Sequence, residues 1–216
     1  AAQTLTAGPL LAASGIERIT ATTGANTLTL NALAANDMAV VLVAGTDTVN
    51  AATMTGALTV SYANDNDLTG ADTITAGTGS SDSLTVTMAG AAALTAAELA
   101  GVTGFETIAT GSNIAASITL SDNNAASGAT LTVDATANTS GAMVIDASAE
   151  TNGSIIVNSG AGGDTITMSQ STLGDVINAG AGTDGITVAV ANLNSLDVID
   201  GGAGTDTLTL TGGGVV

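Results

Sequence analysis

The chain of 216 residues carries 19 acidic side chains against one basic one, Arg18, giving a formal charge of −18, and it contains no His and no Cys. Phosphates would be repelled by such a surface, which argues against a nucleic-acid partner, and the missing His and Cys exclude ordinary zinc, haem, iron–sulfur and disulfide frameworks. With 45% apolar residues but only Tyr62 and Phe105 as aromatics, the sequence is too apolar for a disordered acidic tail and predicts a narrow core of Leu, Ile, Val and Ala.

From the N-terminus, "LTAGPLLAASGIERI" (Leu5 to Ile19) returns as "LTAAELAGVTGFETI" (Leu94 to Ile108) at a constant offset of 89. This predicts two modules, 1–90 and 91–216, each opening on an Ala- and Leu-rich stretch with helical character, near 7–14 and 91–100. Pro9 fits a first helical turn. The longest apolar run, Met38 to Ala44, is far short of a membrane span. No signal peptide is visible, and the absence of an initial Met is consistent with a processed piece. Alternation of Thr with an aliphatic residue places Leu28, Ile74, Leu84, Ile166, Ile186 and Leu208 inward and Thr outward on short strands. Thr suits an exposed strand because its branched Cβ favours extended backbone while its hydroxyl stays solvated.

Asp134, Asp146 and Asn158 follow at 12-residue steps, each ending an aliphatic run. Beyond them "VNSGAGGDTITM" (Val157 to Met168), "INAGAGTDGITV" (Ile177 to Val188) and "IDGGAGTDTLTL" (Ile199 to Leu210) align residue for residue. Their aspartates Asp164, Asp184 and Asp206 are separated by 20 and 22 residues, and Asp175 and Asp197 between them by 22. Two short strands and two turns per period of this length predict an all-β chain folded as a parallel β-solenoid, a β-roll in which coils stack.

Gly201 to Thr209 satisfies the pattern G-G-x-G-x-D-x-U-x, with U aliphatic, and three such turns stand in register. Here the sequence resembles the RTX calcium-binding β-roll, over about 157–210, and more narrowly the β-roll regions of bacterial surface-layer proteins. The resemblance implies a secreted structural protein whose coils fold around several calcium ions and assemble with identical subunits into a lattice. Contact with cell-surface polysaccharide would come through regions outside this chain. By position it implies ligands at Asp164, Asp184 and Asp206, support from Asp200, Asn178 and Asn158 at the preceding strand ends, and Asp175 and Asp197 on the opposite edge. Gly162, Gly182 and Gly204 would let backbone carbonyls converge. Ser159 and Ala179 depart from the pattern at its first Gly, so fewer ions are expected than in a perfect array. Asp side chains in such turns also cap backbone N–H groups, which is the plainer reading of their presence, above all for Asp47, Asp72, Asp82, Asp134 and Asp146. "NDND" (Asn64 to Asp67) predicts a loop with room for an extra ion.

With no His, Cys or Lys, catalysis would need paired carboxylates or an activated Ser, and no motif marks either; the expectation is a non-enzymatic protein. The Gly201 to Gly204 run leads into a strand, so no phosphate-binding helix follows it. An adhesin or extracellular fibre segment shares every feature of the surface-layer reading. A third class, ice binding, needs outward Thr pairs stacked in one flat rank, and the drift in spacing between 20 and 25 residues, the latter from Asp47 to Asp72, argues against it.

Overall fold

A computed structural model describes residues 2–6, 15–31, 36–89, 92–111 and 113–213. The chain winds as a parallel β-solenoid in which every named strand pair is parallel. One wall, a nine-stranded sheet, runs the length of the molecule from Arg18–Thr20 to Val198–Asp200. The opposing wall is built in two parts. A five-stranded sheet holds Gln3–Thr6, Asn26–Thr29, Thr48–Asn50, Thr73–Thr75 and Val102–Thr103. A six-stranded sheet begins at Ala93–Leu94 and ends at Thr207–Thr211.

The 89-residue repeat maps onto this change of wall, because the opening strand of each copy starts a new sheet. In the second copy Ala93–Leu94 is followed by a single helix, α1 (Ala96–Leu99), whose Thr95 and Glu98 form a reciprocal capping box. The helix expected near 91–100 is therefore present as one turn. The stretch 7–14 lies outside the described residues. The coil from Ser83 to Thr110 consequently carries more than two strands, whereas the two-strand rhythm holds elsewhere apart from the short pair Ala181–Gly182 and Ala203–Gly204. The nine-stranded sheet crosses the expected junction at 90/91 without a break.

Period-2 patterning produces the core. Val40, Val60, Leu84, Ile108, Val133, Val157 and Ile177 stack as one column of registered, buried residues along the long wall. Leu28, Ile74, Leu84, Ile166 and Ile186 are buried as their alternation predicts, and Tyr62 and Phe105 lie within the same core cluster. Leu208 continues the column of Ile166 and Ile186 in register, but it is 48% exposed because no further coil covers the last described one.

Coil length varies while strand register does not. Asp47 and Asp72 differ by 25 residues yet sit in register, because the surplus residues enter the turns, including a 3-10 turn at Asp65–Asp67. The expectation that drifting spacing would scatter the outward threonines is thereby overturned: Thr4, Thr27, Thr48 and Thr73 stack in one rank of the five-stranded sheet.

Candidate functional site

The acids expected at the turns fall into two groups. Outward, Asp134, Asn158, Asn178 and Asp200 form one registered rank on the nine-stranded wall. Asn178 Nδ2 donates to Asn158 Oδ1 at 2.8 Å, and Asp200 Oδ1 accepts from the Gly202 N–H at 2.8 Å. Asp134 and Asp146 close local turns by accepting from the N–H groups of Thr136 and Ser148.

Inward, the carboxylates make ladders that tie each coil to the one before it. Asp164 Oδ1 accepts from the Met143 N–H at 2.7 Å, Asp184 Oδ1 from the Asp164 N–H at 2.7 Å, and Asp206 Oδ1 from the Asp184 N–H at 3.0 Å. Across the coil Asp175 Oδ1 caps the Ile155 N–H and Asp197 Oδ1 caps the Asp175 N–H, both at 2.9 Å. The same device recurs upstream. Asp47 caps Asn26 and Asp72 caps Asp47; Asp82 caps Leu58 and Glu106 caps Asp82. Asp65 of the "NDND" loop accepts from the Ala89 N–H at 3.1 Å. The capping role anticipated for turn aspartates is thus real for each of these, and Asp72, Asp82, Asp175 and Asp197 use their second oxygen as well, on the N–H groups of Thr69, Gly77, Ser169 and Asn194.

The other oxygen is the question. Asp47 Oδ2, Asp164 Oδ2 and Asp184 Oδ2 are buried with no hydrogen-bond partner in the chain. A buried, ionised oxygen without a donor is costly. Accordingly, burial raises the Asp164 carboxyl above its ordinary range, against the hydrogen bond from the Met143 N–H and with the charge of Asp184 adding to the rise, while the Ser159 hydroxyl donates to the Ala179 carbonyl. Burial also raises Asp175, with Asp197 adding, Asp47, with Asp72 and Asp67 adding, and Glu106, with Asp82 adding.

An internal comparison shows what the turn calls for at that place. Asn26 occupies the ladder position in its coil, and Gly24, two residues before it, has φ 116° as Gly162 and Gly182 have φ 121° and 153°. Its Nδ2 donates to the carbonyls of Thr22 and Gly24 at 2.9 and 2.7 Å and to Asp47 Oδ1 at 2.7 Å. An amide donor thus fills a ring of oxygens. Where Asp164 and Asp184 replace it, the same position offers only oxygen, which is the donor set of a hard cation such as calcium. Among the described residues no three acidic side chains converge on one point, so any ion here would draw on turn carbonyls as well as carboxylates.

The glycines set how closely the turns approach. Gly160, Gly162, Gly180, Gly182, Gly202 and Gly204 all have positive φ. A Cβ on Gly182 would overlap the Gly162 carbonyl oxygen, and one on Gly204 the Gly182 carbonyl oxygen. The stacked backbones bond directly, Ala181 N–H to the Gly160 carbonyl at 3.1 Å and Ala203 N–H to the Gly180 carbonyl at 2.8 Å.

Sequence reasoning missed three buried polar caps. Glu150 takes the N–H groups of Asn152 and Gly153 on Oε1 and of Ala125 on Oε2. Asn124 donates to the Leu99 and Val102 carbonyls, and Asn138 to those of Ile114 and Gly141. Their available signal was position: each bonds a residue one coil away. Comparison with protein families, curated proteins and solved structures finds no match.

Proposed function

We propose that this chain is a calcium-stabilised, non-enzymatic structural module of a bacterial surface layer. The observation that carries the reading is the pair of buried, unpartnered oxygens, Asp164 Oδ2 and Asp184 Oδ2, on the ladder position at which Asn26, in its own coil, carries an amide that donates to turn carbonyls. Calcium supplies the missing positive charge, and Asp164, Asp184 and Asp206 with the glycine-rich turns between them hold it. Asp175 and Asp197 are secondary positions because both of their carboxylate oxygens already accept from backbone N–H groups, and the rank of Asn158, Asn178 and Asp200 is secondary because it lies on the outer face of the wall.

The last described coil presents an edge that a further coil, of this protein or of another subunit, would cover. Thr207–Thr211 is exposed along its whole length, and Leu208 and Leu210 are 48% and 53% exposed, so an apolar column stops uncovered beside an unpaired strand edge. Such edges pair with another strand. We take the covering coil to come from more of the same protein or from another subunit, and in the second case calcium neutralises the acidic faces that otherwise hold subunits apart.

Electron microscopy of the purified protein tests this. Sheets or filaments are expected at millimolar calcium and dispersed particles in chelator, with magnesium a poor substitute because it demands stricter geometry and holds its waters. Monomers at every calcium concentration would contradict the surface-layer reading and favour an adhesin stalk.

A further inference from the structure

The outer face of the five-stranded sheet differs from the rest of the surface. One rank is Thr4, Thr27, Thr48 and Thr73; the second is Thr6, Thr29, Asn50, Thr75 and Thr103, all in register. None of these positions carries charge, on a chain of net −18. We propose that this face binds the water lattice of ice.

The repeat, the free hydroxyls and the rigidity beneath them suit this face to ice. Neighbouring strands lie about 4.8 Å apart, and alternate residues along a strand roughly 6.6 Å apart. The ranks therefore present a two-dimensional grid of hydroxyl and methyl groups, broken once by the Asn50 amide, with spacings close to the oxygen repeats on a prism plane of hexagonal ice. Among the described residues the hydroxyls of these threonines make no hydrogen bond within the chain, so they remain available to water. Beneath them Leu28, Val49 and Ile74 are buried, and β-branched Thr has few rotamers to lose. Waters held by such a grid are ordered before ice arrives, which reduces the entropy cost of joining the crystal.

Thr is common on any exposed strand, but the other walls break the pattern. On the six-stranded sheet Val144 and Gly185 interrupt one rank and Asp146 the other; the long wall carries Arg18, Asp134 and Asp200. A crystalline polysaccharide is disfavoured because the only two aromatic side chains, Tyr62 and Phe105, are buried and leave no stacking platform.

The proposal depends on the fold alone, so it is tested in calcium-containing buffer and stands or falls separately from the assembly reading. A single ice crystal grown in the full chain should become faceted and show a gap between melting and freezing points. Thr48→Tyr, and Thr29→Lys on the second rank, should abolish faceting and the gap with thermal unfolding unchanged, whereas Thr187→Tyr on the six-stranded wall should retain both. Rounded crystals with no gap in the folded wild-type chain would overturn the inference. So would faceting that survives both substitutions in folded protein, or retention on crystalline cellulose without adsorption to ice.

Discussion

Replacing Asp184 with Asn separates its two roles. The Asn Oδ1 keeps the hydrogen bond from the Asp164 N–H, while the Nδ2 enters the place of the buried, unpartnered Oδ2. Asn26 shows that an amide at this ladder position finds the carbonyls two and four residues before it, which for residue 184 are those of Gly182 and Gly180. The change also removes the middle one of three like charges stacked at a strand spacing of about 4.8 Å, where each ionised neighbour repels by roughly 3–4 kcal/mol at an effective dielectric near 20. Part of that repulsion is already relieved by the raised Asp164 carboxyl. A net gain of about 1–3 kcal/mol in chelator is expected, or roughly 2–12 °C in melting temperature for a chain of this size. Asp184→Ala removes the cap and leaves the Asp164 N–H buried without an acceptor, so it should melt below Asp184→Asn by a comparable margin. Circular dichroism melts of the three proteins, each in chelator and in calcium, read the outcome. In calcium both variants should lose much of the ion-dependent gain. If Asp184→Asn in chelator melts as low as Asp184→Ala, the comparison with Asn26 is wrong.

Two further outcomes follow from the same turns. In chelator, the acids raised by burial, Asp47, Asp164, Asp175 and Glu106, bind protons more tightly when folded. The stability they contribute is therefore present below the ordinary carboxylate range and lost as pH rises through their elevated values, so melting temperature should climb on acidification from neutral pH. With calcium the slope should reverse, since protons then displace the ion; equal slopes in both buffers would contradict this. Gly182→Ala drives a Cβ into the Gly162 carbonyl, whereas a Cβ on Gly185 meets nothing within 4 Å. The first change should destabilise by about 1–3 kcal/mol in denaturant titration and the second by much less, and equal costs would refute the close stacking of these turns.

Much of the fold is legible in the sequence because a solenoid writes each coil beside the last. The aligned turns ending at Asp164, Asp184 and Asp206 stack in register, and the Thr-aliphatic alternation places Ile166 and Ile186 inside. Leu208 shows the limit: alternation gives the direction of a side chain but not whether another coil covers it. The inward ladders were half legible. Capping was foreseen as a role for Asp, but a coil-to-coil bond such as Asp82 to the Leu58 N–H depends on a turn whose length the sequence does not mark. Glu106, half-buried, and Glu150, buried, were hidden because Glu is rarely enclosed; a backbone donor one coil away from each, and for Glu150 two more in its own turn, make it tolerable. The registered Thr face was misjudged because spacing along the chain was taken for spacing in space, whereas turns such as Asn64 to Asp72 absorb the difference.

Thermal unfolding of the full chain as a function of free calcium tests the central claim most directly. If calcium is the counter-charge that the buried carboxylates lack, the melting temperature should be lowest in chelator and rise with calcium. A hundredfold excess over the dissociation constant should add about 2.7 kcal/mol for each site, and magnesium at equal ionic strength should have a much smaller effect. Superimposable melts in chelator, magnesium and calcium, with no heat of calcium binding, would contradict the account and leave the aspartate ladders as backbone caps alone.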